Sequence, residues 1–253
     1  MSWRPKKKKT AGTAISRTAE REFNRDLTRL AQLDENAKKI QKNMNKCCDC
    51  LTAQSRAEVK MASDFAQSWF CQNNDKMKTF SEEWKDAVSK IERHNHELTA
   101  NSQKAVVEPM KRFRNIFPSV QAAVQKREKS LQEYEKCLAK VEKYQGRERT
   151  GQTIVKMEVA RKALAAAKEE FTNHQNSLQE DMPKLYEQRI DYIKPSLQAL
   201  ISSQMKCYTE AHKICTEASE CMNGKKDQWT DEEYDKNLQD KLAEIKALSI
   251  TAD

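Results

Sequence analysis

Four histidines, eight cysteines and a large population of lysines are the residues of this chain whose types could do chemistry. A metal site needs three or four Cys or His ligands at set spacings. Cys47, Cys48 and Cys50 lack the CxxC step, and no second Cys/His pair follows at finger distance. His212, Cys215 and Cys221 recur at helical intervals, which packing explains as well as ligation does. His94 and His96 stand two apart and point to different faces of a helix, while His174 falls at the edge of an apolar seam. No GxSxG, phosphate loop or HExxH pattern occurs. The residues therefore predict no catalytic site, no metal and no cofactor. Without an apolar signal segment at the start, the cysteines read as reduced thiols.

The lysines and arginines are more informative, because they are placed unevenly. The net charge is +8. Residues 1–25 carry eight Lys/Arg against two Glu, and residues 104–149 carry twelve against six. At about 100° per residue, with Lys126 at zero, Lys129, Lys136, Lys140, Lys143 and Arg147 fall between roughly 260° and 320°. These six cations form one stripe opposite an apolar seam, and Arg149 extends it into the following turn. Arg127 falls on the seam side and is expected to be a paired structural arginine. Such a stripe suits an anionic lipid surface, where each cation contributes about 1 kcal/mol. Phosphates of nucleic acid respond to the same charge. Yet no aromatic residue interleaves the stripe for base stacking, so nucleic acid is not the expected partner. In the tail, Trp3 and Lys6, Lys7, Lys8 and Lys9 are a second candidate membrane contact.

The elements that must position these residues are long helices. The four glycines, Gly12, Gly146, Gly151 and Gly224, all lie outside helical patterns. Residues 1–18 read as a polybasic tail. A first helix from about Thr18 carries the seam Phe23, Leu27, Leu30, Leu33, Ala37, Ile40, Met44, Cys47 and Leu51, at coiled-coil spacing. Thr79 with Glu82 predicts a capping box that opens a second helix reaching about Tyr144. A third helix from about Thr153 repeats Met157, Leu164, Phe171, Leu178, Leu185, Tyr192 and Ala199 by sevens, then continues through Ile201, Tyr208 and Ile214. Pro109 and Pro118 in the second helix, and Pro183 and Pro195 in the third, are expected kinks. Thr230 with Glu233 predicts a short last helix, within 224–253, closing the bundle. The fold class is all-α: a long, proline-kinked, antiparallel three-helix coiled-coil bundle over 19–223. Its surface is large for its core, so self-association is expected.

The run VVEPMKRFRNIFPSVQAAVQKREKSLQEYEK, the following KVEKY and turn, and MPKLYEQRIDYIKPSLQALISSQMKCYTEAHK resemble the second and third helices of BAR domains of the amphiphysin/Rvs group. The resemblance covers nearly the whole chain. It implies a crescent-shaped antiparallel dimer whose concave face binds curved anionic membranes. It matches Lys126 and Lys129 to the family's concave basic pair, and Lys143, Arg147 and Arg149 to its basic tip loop. It further implies roles in endocytosis, actin organisation and cytokinesis, at a cytoplasmic site peripheral to membrane and cortex. Homodimers, or heterodimers with another amphiphysin-like BAR protein, are the implied assemblies, with actin regulators as possible partners. The tail is richer in lysine and less amphipathic than in typical N-terminal-helix members, which favours an electrostatic tether over an inserting helix. The alternative reading is a cytoskeletal coiled-coil adaptor whose basic face meets actin or acidic proteins.

Overall fold

The protein was analysed as a computed structural model that describes residues 16–146, 148, 150–223, 230–248 and 250. Among these the regular elements are all helical. They are α1 (Arg17–Gln67), α2 (Asp75–Ser102), a π turn (Gln103–Val107), α3 (Glu108–Arg114), α4 (Phe117–Gln145), α5 (Gly151–Asn223) and α6 (Asp231–Lys246).

Each start has a local cause. Ser16 Oγ accepts from the Ala19 N–H at 3.1 Å and caps α1 two residues before the expected Thr18. The α1–α2 turn places Asn73 at φ 60, a left-handed conformation that asparagine tolerates. Asn74 Oδ1 then accepts from the Met77 N–H at 3.0 Å and starts α2. The expected capping box at Thr79 is therefore not formed. Thr79 lies inside the helix, and its hydroxyl donates to the Asp75 carbonyl. The box at Thr230 and Glu233 is formed in both halves and opens α6, but α6 buries none of its residues, where it was expected to close the bundle.

The prolines act differently in the two long patterns. The second expected helix is divided, and Pro109 and Pro118 stand in the first turns of α3 and α4. At Pro118, which follows the turn at Asn115 and Ile116, a missing N–H costs no intrahelical bond, whereas Pro109 follows the π turn in continuous helical backbone. Ahead of Pro109, the Glu108 N–H reaches back five residues to the Gln103 carbonyl, which makes the π turn. One extra residue per turn brings both Val106 and Val107 into the core. By contrast, α5 runs without interruption through Pro183 and Pro195.

The chain divides into two compact units, one of residues 1–50 and 99–203 and the other of 51–98 and 204–253. In the first, Asp34 meets Arg114 and Glu20 meets Arg127, so α1 runs antiparallel to α3 and α4. Tyr192 reaches Pro109 and Gln175 reaches Arg127, so α5 is antiparallel to them in turn. Its core is Phe23, Leu27, Leu30, Ala37, Val106, Met110, Phe113, Phe117, Leu178 and Met182. The second unit pairs α1 with α2 through Ser55 and Asn95, and α5 with α2 through Cys207 and Asn95. Its buried residues are small or polar: Ser55, Ala62, Cys71, Ser81, Ala87 and Cys207, with Leu98.

The heptad seams hold only in part. In α1 the seam runs through Ala37 and the partly buried Met44, leaves Ile40 exposed, and reaches Cys48, eleven residues after Ala37, rather than Cys47. That step of eleven residues fits a straight helix better than two heptads do. In α5, Phe171 and Leu178 are buried, but Tyr192, Ala199, Ile201 and Tyr208 are exposed. A heptad repeat drifts about 20° per repeat on a straight helix, so five repeats carry it roughly 100° off the core.

Candidate basic interface

All five described lysines of the stripe lie on α4, in the first unit. Lys126, Lys129, Lys136, Lys140 and Lys143 are each exposed. Among the described residues, only Lys136 of the five has an ion pair, with Glu133 at 3.2 Å. Both members of that pair are well exposed, so it holds Lys136 weakly. Arg147, Arg149, Trp3 and Lys6, Lys7, Lys8 and Lys9 lie outside the described residues.

One turn of α4 separates the exposed charge from the buried charge. Arg127 is 0% exposed, the largest fully buried side chain described. Its Nη2 donates to Glu20 at 2.5 Å, its Nη1 to Glu128 at 2.6 Å and its Nε to Gln175 at 2.8 Å. Phe23 lies 4.2 Å from the guanidinium carbon and Phe171 5.5 Å, which adds cation–π attraction. Glu128, on the stripe's margin by spacing, is thus drawn inward by Arg127. The carboxylate pairs with Arg127, and among the described ion pairs it neutralises neither Lys126 nor Lys129. The clamp also binds the first turn of α1 to α4 and α5.

The other candidate residues separate. Among the described residues, no group of three His, Cys, Asp or Glu is placed to hold a metal ion. His174 lies 3.8 Å from Glu170, on its own helix. Burial pushes the Cys48 and Cys207 thiols above the ordinary range, with Cys47 and Asp49 adding to the first shift and Glu97 to the second. A hydrogen bond donated by the thiol to the Glu83 carboxylate does the same for the exposed Cys221.

Spacing did not identify the exposed apolar surfaces. In the second unit, Met61, Phe65 and Phe70 line an open groove on the last turns of α1 and the turn after it; Phe70 is 78% exposed, and Trp69, next to it in the chain, is 83% exposed. Met205 and Tyr208 of α5 are exposed in the same unit. In the first unit, Ile190, Leu197 and Ile201 are exposed along α5. The signal was present as heptads continuing past the point where a straight helix turns them outward. No described helix is long and apolar enough to cross a membrane.

Comparison with known proteins agrees with this architecture. The family model described as BAR domain matches residues 7–223. Bridging integrator 3 of Mus musculus is 36% identical over 254 residues, covering all of both chains. Protein hob3 of Schizosaccharomyces pombe is 26% identical over 261 residues, covering 99% of this chain and 97% of its own. Among solved structures, the amphiphysin BAR domain from Drosophila superposes with a TM-score of 0.61 at 19% identity, covering 95% of this chain and all of that one. The family match spans the bundle and the stripe together, and on that ground the chain belongs to the BAR domain family.

Proposed function

We propose that this protein is a non-enzymatic scaffold that self-associates, adsorbs to anionic membranes through the α4 lysines, and senses or induces their curvature. The observation that carries the proposal is the separation of charge on α4. Four lysines stand exposed without an ion pair among the described residues, while the one arginine of that segment is wholly buried and neutralised. Five lysines at about 1 kcal/mol each set an upper bound of roughly 5 kcal/mol per chain on an anionic bilayer. Two chains acting together would double the contact.

Self-association is supported by the second unit's small, polar core and by its exposed Met61, Phe65, Trp69, Phe70, Met205 and Tyr208. Apolar surface of this kind on a helical unit is covered most simply by a two-fold partner. Family membership supports the curvature role and, as part of this reading, peripheral attachment to membrane and cortex in endocytosis, actin organisation or cytokinesis.

Replacing Lys126, Lys129, Lys136 and Lys140 with Glu is expected to abolish sedimentation with phosphatidylserine vesicles while leaving helicity and sedimentation velocity unchanged. Undiminished vesicle binding by that variant would reject the stripe as the contact. Pelleting with actin filaments in the absence of lipid would favour the cytoskeletal adaptor instead.

A further inference from the structure

The far end of the first unit has only two described helices. Glu20 pairs with Arg127, and α1 begins only three residues earlier, at Arg17. The described part of α1 therefore stops near the level of Ser130. Beyond it, the last half of α4 and the first turns of α5 form a hairpin closed by the turn at Gly146. Its inner face is filled by Cys137, Val141, Ala160 and Ala167, with Tyr134 stacked on Phe171 at 6.0 Å.

Val155 and Val159 are one helical turn apart on α5, and they are 61% and 64% exposed. Ile154 beside them is 44% exposed. At about 100° per residue the two valines point roughly 90 to 130° away from the line of Ala160 and Ala167. The pairings of Arg127 with Gln175 and of Tyr134 with Phe171 set the register of the hairpin. Val159 falls level with the end of α4, and Val155 lies beyond it, at the outermost turn. Lys143, Lys156, Arg161 and Lys162 are exposed on these same turns, as are Glu142, Glu148 and Glu158, and with Arg147 and Arg149 of the connecting segment the tip sequence stays net positive.

We propose that Ile154, Val155 and Val159 form a shallow apolar wedge at the hairpin tip that enters the headgroup–acyl boundary of an anionic bilayer. The proposal rests on the membrane reading of the α4 stripe and adds a contact that salt does not screen. Charge selects this occupant over two others. Residues 1–16 carry five Lys/Arg and no acid, so the tail is repelled by the cations around the valines. A second copy docked face to face would set Lys162 and its neighbours against their own counterparts. A bilayer surface supplies both requirements, negative headgroups for the lysines and an apolar layer within about 5–10 Å for the valines. The wedge is also continuous with the stripe, since Lys143 lies in the last turn of α4.

The test uses the full chain and vesicles of phosphatidylcholine with about one-third phosphatidylserine. Binding is measured at ionic strengths of about 0.1 M and about 0.5 M, where screening differs about twofold in length. Val155→Ser with Val159→Ser is expected to weaken binding roughly tenfold or more at low salt and to remove the binding that wild type retains at high salt. Val155→Leu with Val159→Leu is expected to bind at least as well as wild type. If the serine variant follows wild type at both salts while the four-lysine variant fails, the wedge is wrong and the scaffold stands. If the four-lysine variant binds normally, the scaffold reading itself fails. A smaller oligomer for the serine variant in vesicle-free sedimentation velocity would assign the valines to a protein contact and overturn the wedge.

Discussion

Replacing Arg127 with Met tests the central packing argument. The side chain is fully buried and makes three charge-assisted contacts, with Glu20, Glu128 and Gln175, and two ring contacts. Breaking a buried ion pair from one side typically costs about 3–5 kcal/mol. Here the loss is smaller on the acid side, because Glu20 and Glu128 are 37% and 31% exposed and stay hydrated when the arginine goes. Gln175 is different. It is buried, its Nε2 already lacks a partner, and the substitution orphans its Oε1 as well, at about 1–3 kcal/mol. Lost attraction to Phe23 and Phe171 adds about 0.5–2 kcal/mol, and the apolar methionine recovers part of the packing. The expected net loss is about 3 kcal/mol. Urea unfolding followed by circular dichroism, at one fixed protein concentration, measures it. Adding Gln175→Met to Arg127→Met is expected to restore about 1 kcal/mol, since the orphaned amide is then gone. Arg127→Lys is expected to fall between wild type and Met, because an ammonium cannot hold three partners in a planar fork. An Arg127→Met midpoint indistinguishable from wild type would refute the claim that this cluster holds α1 to α4 and α5.

Three further outcomes follow from particular residues. Tyr192→Phe removes the hydroxyl that donates to the Pro109 carbonyl at 2.9 Å but keeps the ring stacked on Phe113, so a loss of about 1 kcal/mol in urea unfolding is expected. Alkylation with iodoacetamide is expected to be slow at Cys48 and Cys207 and fast at Cys47, Cys50 and Cys215, as peptide mapping after short exposure would show. The same two buried thiols set a sign for pH. Their folded-state titration lies above the unfolded one, so the folded chain holds these protons more tightly. Stability is then complete below the ordinary thiol range and declines as pH rises through it, and a flat unfolding midpoint across that range would contradict the burial.

Much of the helical outline was legible in the residues themselves. Absence of glycine from the interior of the long helices (Gly151 opens α5), the seam from Phe23 to Ala37, the capping box at Thr230 and the turn beginning at Gly146 are local or periodic signals that need no partner. Placement of Arg127 on the seam side of α4 and of the lysines opposite it was also legible, because both follow from 3.6 residues per turn. Three decisions belonged to the tertiary structure. Pro118 begins a helix because the chain turns at Asn115 and Ile116 ahead of it, whereas Pro109 stands in continuous helical backbone where the π turn accommodates its missing N–H. Ile201 and Tyr208 face outward although their spacing continues the seam, since a heptad drifts off the core of a straight helix and only the neighbouring helices decide where coverage ends. The inward turn of Glu128 was the third. Spacing sets it on the stripe's margin, but a carboxylate goes to the guanidinium that burial has stripped of water, and that burial exists only once Phe23 of α1 and Phe171 of α5 close over Arg127.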